Sequence, residues 1–189
     1  MKQYYYTVAS LPALRFEEPP FLDQKGFYEN CAVEMTDEDL AYVSSAMILL
    51  TGQSATVGDV EETGCRAQWN RLLREFQQQG AIVRTQNLGW EIDRLPRPDV
   101  RDATIPERLR QILNEENPLK TEMATLRWLW QAAEALEPGH HFDRDALFLY
   151  HLKLQISLRR AALSDGDAGN EEFDRQYEKV AESLMEIAT

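Results

Sequence analysis

The sequence predicts an all-α protein, built as an antiparallel helical bundle. Three observations lead to this prediction. Apolar residues recur at three- and four-residue steps through most long segments, which is the spacing of one helix face. Residues that cap helices stand just before several of these segments. Breaks that contain proline, at 94–106 and 137–141, divide the segments from one another.

The first half of the chain contains two predicted helices. One covers 37–50, where Thr36 can cap the free N–H groups and Asp39 takes the position of a capping-box acid. The next covers 65–79 and places four apolar side chains on one face: Trp69, Leu72, Leu73 and Phe76. Residues 80–92 fit either a short strand pair or an extension of that helix.

The clearest interruption of the helical pattern is at 94–106. Pro96 and Pro98 flank one arginine and forbid a continuous helix. This break predicts an N-terminal helical region, 1–100, and a C-terminal helical region, 101–189. The two regions can also form one continuous domain.

Cap signals mark the helices after the break. Thr104 and Glu107 form a capping box, and Asn117 precedes a proline at the first helical position. The helix that follows, 118–136, carries an apolar stripe of Leu119, Met123, Leu126, Trp130 and Ala133. Asp143 can cap a helix over 143–162. A last helix is predicted over 170–188.

The stretch HHFDRDALFLYHLKLQI, 140–156, supports two interpretations. Its histidines and aspartates suggest a metal or acid–base site, whereas its apolar residues predict a buried helix. His140 and His141 would point about 100° apart on a helix, and His151 would lie roughly 15 Å beyond them. We therefore interpret the stretch as a core helix that Asp143 starts. A metal site from His141, Asp143 and a distant carboxylate stays open as the minor alternative.

Composition and charge restrict the possible partners. The formal net charge is −12, which disfavours binding to nucleic acid and to anionic membranes, and favours protein partners with basic faces. No apolar run approaches the roughly 20 residues of a membrane span, and the N-terminus does not resemble a signal peptide. A cytoplasmic protein is expected. Cys31 and Cys65 lack the spacing of a metal motif and are predicted to be buried thiols.

Motifs for catalysis are missing from the sequence. The glycines of TGQSATVGD are not followed by the GK[ST] ending of a phosphate-binding loop, and no GxSxG element occurs. DGDAGNEEF starts like a calcium loop from Asp165 but has Gln176 where the glutamate ligand should stand. We therefore predict no catalytic residue, no cofactor and no metal.

The aromatic residues near the N-terminus are the best candidates for a partner-binding surface. Tyr4, Tyr5 and Tyr6 are consecutive, so they cannot all face one core, and tyrosine is favoured at protein interfaces. The segment from Tyr4 to Leu11 is the predicted contact surface. The alternative is that the bundle core absorbs these rings.

Four stretches resemble a bacterial protein family that is encoded within operons for V/A-type ATPases, the rotary ion pumps. They are YYYTVASLP at 4–12, PPFLDQKGFYENC at 19–31, NPLKTEMATLRWLW at 117–130 and HHFDRDALFLYHLKLQI at 140–156. The aromatic opening and the pattern FD-x-D-x-L-x-x-Y-x-x-KLQI are the most specific parts. A more distant likeness is to the rotor-capping subunit of those ATPases, an all-helical funnel that is named C in bacteria and d in eukaryotes.

The resemblance implies a non-catalytic accessory or connecting subunit whose partners are V/A-type ATPase subunits. Such a protein would lie in the cytoplasm, peripheral to the inner membrane through the complex. The family has no established catalytic residues, so none are assigned here. Two alternatives stay open: a metal-dependent small hydrolase using His140, His141 and His151, and a free-standing regulatory adaptor.

Overall fold

The computed structural model describes residues 2–48, 64–89, 104–115 and 117–164, and over these ranges every regular element is a helix. In chain order the helices are α1 (Tyr5–Ser10), α2 (Gln24–Ala32), α3 (Asp37–Ser44), α4 (Cys65–Asn87), α5 (Thr104–Leu113), α6 (Pro118–Leu136) and α7 (Arg144–Ser164). The all-α prediction is confirmed. The predicted helix at 170–188 and residues 94–103 of the predicted break lie outside the described ranges.

Helix α7 is the centre of the described core. It packs against α2, α3, α4 and α6. Apolar side chains on every side of it are almost fully buried: Leu147, Phe148, Leu149, Leu152, Leu154 and Ile156. A helix that is apolar all round must be enclosed by neighbours, so the interpretation of 140–156 as a core helix is confirmed for its helical part.

Three of the predicted caps, Thr36, Asn117 and Asp143, close their helix starts as expected, whereas Thr104 is already the first residue of α5. The Thr36 hydroxyl accepts a hydrogen bond from the Asp39 N–H (3.2 Å), and the Asn117 side chain accepts from the N–H of Leu119 (2.9 Å). Asp143 Oδ1 accepts from the N–H of Ala146 at 2.8 Å. These bonds satisfy donors that have no partner inside the helix, which is why such residues mark helix starts.

Helix α3 is shorter than predicted and ends at Ser44 instead of residue 50. The carbonyl oxygens of the next residues are taken by side chains from other helices. Trp69 Nε1 donates to the carbonyl of Met47, and Gln155 Nε2 donates to that of Ala46, both at 2.8 Å. Tertiary hydrogen bonds therefore replace helical ones after Ser44. The local sequence pattern does not reveal these bonds, because their donors lie in distant segments.

Helix α4 continues to Asn87, so over 80–87 the extended-helix alternative is correct and the strand pair is wrong. Helices α1 and α2 are additional elements that periodicity alone does not predict, because each has fewer than ten residues. None of the helices in the described ranges combines the length and hydrophobicity needed to cross a membrane.

Candidate functional site

The structure separates the N-terminal tyrosines that were predicted to act together. Tyr4 is only 1% exposed and belongs to the core. Its N–H donates to the carbonyl of Phe142 at 2.6 Å, and its hydroxyl donates to Asp39. The placement of Tyr4 on a partner-binding surface is therefore corrected: Tyr4 stands just before the first residue of α1, and its side chain faces the core.

The other aromatic residues at this end of the molecule are exposed. Tyr5 is 53% exposed and Tyr6 82%. The ring of Tyr5 packs against the ring of Phe142 with centroids 4.6 Å apart, and Phe142 is itself 38% exposed. We call Tyr5, Tyr6 and Phe142 the aromatic patch. Leu11 is half-buried at the far end of α1 and packs against the core.

Helix α1 has six residues and would not be stable alone, so tertiary bonds must hold it. The N–H and hydroxyl of Thr7 both donate to Glu34 Oε2, at 3.1 and 2.7 Å. Farther along, the Tyr150 hydroxyl donates to the carbonyl of Pro12 at 2.8 Å. These bonds fix the aromatic patch to α7 and to the α2–α3 connection.

Asp39 links the N-terminal segment to α7. It accepts hydrogen bonds from the Tyr4 hydroxyl and, at 3.1 Å, from Arg144 Nη1. Burial raises the pKa of Asp39. The hydrogen bonds from Tyr4 and Arg144 together lower it by more than burial raises it, so the pKa of Asp39 is below its usual range. Burial and the Asp39 carboxylate raise the pKa of Tyr4 to about 12. Asp39 is therefore an ionised acceptor here, in addition to standing at the capping-box position.

A second group of polar side chains gathers where α6 turns into α7, and we call it the turn cluster: Cys65, His140, Asp143 and Asp145. One ligand atom from each of Cys65, His140 and Asp145 lies within 4.8 Å of the other two. His140 Nδ1 is 2.8 Å from Asp143 Oδ2 and 3.7 Å from Asp145 Oδ2. Thiol, imidazole and carboxylate are all metal-ligating groups.

The turn cluster is mostly shielded from water. Cys65 and Asp145 are buried, and the side chain of His140 is partly exposed. The Tyr42 hydroxyl donates to Asp145 Oδ1 and accepts from the Arg66 N–H at 3.3 Å. Burial, with the charges of the two aspartates, raises the pKa of the Cys65 thiol to about 12. Burial and the bond to Asp145 also raise the pKa of Tyr42.

The side chains of the turn cluster are held in place by the starts of α4 and α7 and by the turn between α6 and α7. Cys65 is the first residue of α4, and it follows Gly64, whose φ of 97° favours glycine. Asp143 precedes the first residue of α7 and Asp145 lies in its first turn. His140 is held in the turn by its own N–H, which donates to the carbonyl of Glu137 at 2.9 Å. Because Cys65 is far from the others in sequence, motif spacing does not reveal the cluster.

The three histidines do not come together. His151 is buried in the core, where its Nδ1–H donates to the carbonyl of Val43 at 3.0 Å and the Tyr28 hydroxyl donates to Nε2 at 3.3 Å. Its ring stacks on Phe27 with centroids 5.1 Å apart. His141 is exposed. Of the histidines in the hydrolase alternative, only His140 belongs to the turn cluster.

Acid should weaken the fold through His151. Burial lowers the pKa of His151 below that of the unfolded chain, about 6.5. The unfolded state therefore takes up the proton first, and the free energy of unfolding should fall below about pH 6.5, with a slope of up to about 1.4 kcal/mol per pH unit. Urea unfolding from pH 7 to pH 5 measures this slope. His151→Asn should reduce it, and equal slopes in the two proteins would contradict the assignment.

A cleft of about 500 Å³ adjoins the turn cluster, between the N-terminal segment and the α6–α7 turn. Its lining includes Leu11, His140 and His141. Lys153 also lines it, pairing with Glu137 Oε1 at 2.8 Å and lying over the Trp130 ring at 4.6 Å. The cleft gives solvent a route to the exposed edge of His140.

Comparison with known proteins provides no relative: no family model, no curated protein and no solved structure matches this chain.

Proposed function

We propose that this protein is a non-catalytic accessory or connecting subunit of a bacterial V/A-type ATPase, with a helical architecture related to part of the rotor-capping subunit. The observation that carries the proposal is the contact between the two most specific resembling segments. The aromatic opening and the FD-x-D pattern meet where the N–H of Tyr4 bonds to Phe142 and where the rings of Tyr5 and Phe142 pack. Together they build the aromatic patch.

A connecting subunit of a rotary machine must be stiff and must present a surface of fixed shape. A main-chain bond joins Tyr4 to Phe142, just before α7, and the Tyr150 side chain of α7 bonds to the Pro12 carbonyl, so the segment that carries Tyr5 and Tyr6 is fixed at two points. Helix α7 is the most enclosed helix of the described core. Tyrosine rings contribute large contact area, and they rank among the residues that dominate binding energy. A fixed patch of this kind suits a joint between subunits, where no bond-making group is required.

The acidic character of the chain supports the same proposal. A formal net charge of −12 steers the protein toward basic surfaces and away from phosphate backbones. As a subunit of this kind the protein would be cytoplasmic, and it would reach the inner membrane only through the ATPase complex. Its partners would be ATPase subunits with basic faces next to an apolar pocket for the tyrosine rings.

Removing the exposed tyrosines should release the protein from the complex. We expect the double variant Tyr5→Ser/Tyr6→Ser, tagged and expressed in the native organism, to capture at least about tenfold less ATPase than the wild type. Removing one hot-spot side chain lowers the binding free energy by more than about 1.4 kcal/mol, which corresponds to a tenfold change in affinity. Quantitative mass spectrometry of the captured subunits measures this. The matched control is Phe21→Ser, which removes an aromatic ring that is 91% exposed on another segment.

Two results would overturn parts of this proposal. Capture of no ATPase subunit by the wild-type chain would reject the ATPase as partner, and capture of other proteins instead would indicate a free-standing adaptor. Unchanged ATPase recovery by the double variant, with unchanged helicity by circular dichroism, would reject the aromatic patch as the contact surface.

A further inference from the structure

We propose that the turn cluster is a structural zinc site, in which Cys65 Sγ, His140 Nδ1, Asp143 Oδ2 and Asp145 Oδ2 bind one Zn²⁺ ion. The site would join the first residue of α4 to the turn before α7 and to the first turn of α7. Neither the resemblance to the ATPase-operon family nor the proposed role at the ATPase requires a metal.

The ligand atoms of Cys65, His140 and Asp145 form a compact group, and Asp143 Oδ2 joins it through its contact with His140 Nδ1, at 2.8 Å. Bonds of about 2.0 Å to nitrogen and oxygen and about 2.3 Å to sulfur place ligand atoms about 3.3–3.5 Å apart. His140 Nδ1 and Asp145 Oδ2 are 3.7 Å apart, and the atoms of Cys65, His140 and Asp145 all lie within 4.8 Å of one another. To reach these separations, the atoms of Cys65, His140 and Asp145 must approach the ion, and His140 Nδ1 and Asp143 Oδ2, which are 2.8 Å apart, must separate slightly.

The carboxylates can bind an ion while they keep their bonds to the Ala146 N–H and to the Tyr42 hydroxyl. Asp143 Oδ1 accepts from the Ala146 N–H as the cap of α7, while Oδ2 faces His140. Asp145 Oδ1 accepts from the Tyr42 hydroxyl, while Oδ2 faces His140. Each aspartate thus has one oxygen fixed by the protein and the other directed into the cluster. Bonds of this kind, made to the far side of a ligand, orient it for a metal.

The donor set favours zinc over the hard cations. A thiolate and an imidazole are ligands for Zn²⁺, whereas Mg²⁺ and Ca²⁺ take oxygen ligands. A thiolate and two carboxylates carry three negative charges against the two positive charges of the ion. The starts of α4 and α7 meet at the cluster, and their N–H dipoles stabilise the residual negative charge. Four protein ligands leave no open position, which is typical of a structural site.

Proton balance follows from the ligand chemistry. Zn²⁺ binds a thiolate and a neutral imidazole, so the Cys65 thiol proton leaves to solvent. The hydrogen bond from His140 Nδ1–H to Asp143 is replaced by two bonds to the metal, and the imidazole proton moves to Nε2. One proton is therefore released for each ion bound.

Cobalt binding to the purified full-length chain tests this proposal. Co²⁺ replaces Zn²⁺ in tetrahedral sites and absorbs in the near-ultraviolet when a thiolate is bound. We expect chelator-treated wild-type protein to bind one Co²⁺ with this thiolate absorption, and one equivalent of Zn²⁺ to abolish it. Cys65→Ala should lose the absorption, whereas Cys31→Ala, which removes the other buried thiol, should keep it.

The adjacent histidines provide a second matched pair that does not disturb the core. His140→Gln should weaken Co²⁺ binding by more than about 100-fold. Losing a residue that only hydrogen-bonds to a metal ligand already lowers metal affinity about 10–100-fold, and His140 is proposed to be a ligand itself. His141→Gln should bind as the wild type does. If Cys65→Ala does not fold, this pair alone decides. The proposal is overturned by wild-type protein without thiolate absorption, or by equal Co²⁺ affinity in wild type and His140→Gln.

Discussion

Replacing Phe148 with alanine is expected to destabilise the protein by about 3–5 kcal/mol, the cost of truncating a fully buried phenylalanine. Phe148 is 0% exposed in the middle of α7, and its ring packs against that of Tyr42 with centroids 5.3 Å apart. Helix α7 packs against four other helices, so the surroundings of Phe148 cannot collapse into the cavity without shifting whole elements. Because domains have only about 5–15 kcal/mol of stability, a large part would be lost. Urea unfolding measures the change.

Phe142→Ala is the matched control, since it removes the same side chain six positions earlier from an exposed site. Its ring touches Tyr5 but remains 38% exposed, so we expect a loss below about 1.5 kcal/mol, the value of one aromatic pair. Equal losses in the two variants would mean that the enclosure of α7 contributes little to stability.

The parts of the fold that the sequence predicts well depend on local chemistry. The caps at Thr36, Asn117 and Asp143 are confirmed because a capping side chain bonds to an N–H only two or three residues away. The enclosure of α7 is also predictable, since apolar residues on all its faces leave no side for water. Both signals are contained within one segment.

The parts that the sequence does not predict depend on contacts between distant segments. Helix α3 ends early because Trp69 and Gln155 take carbonyl groups beyond it. Tyr4 is buried because Asp39 and the carbonyl of Phe142 satisfy its polar groups. No local pattern carries either fact. A buried polar group is tolerated only when such partners exist, and they are visible only in the fold.

The same limit applies to the turn cluster. His140, Asp143 and Asp145 are neighbours in sequence, but a metal set requires the distant Cys65, which motif spacing treats as an isolated thiol. The stretch 140–156 thus has two structural roles, one for each of its parts. Its first residues hold the polar cluster at a helix start, and its later residues form the enclosed part of α7. The core-helix interpretation describes the second part and leaves out the first.

Native-state hydrogen exchange tests most directly the central claim, that α7 is the enclosed framework of the molecule. The amides of 147–156 should exchange only through global unfolding, with an opening free energy equal to that from urea unfolding and at least about 5 kcal/mol. Amides of α1, a six-residue helix with exposed tyrosines, should open locally at lower free energy. Exchange in 147–156 as fast as in α1 would contradict the claim.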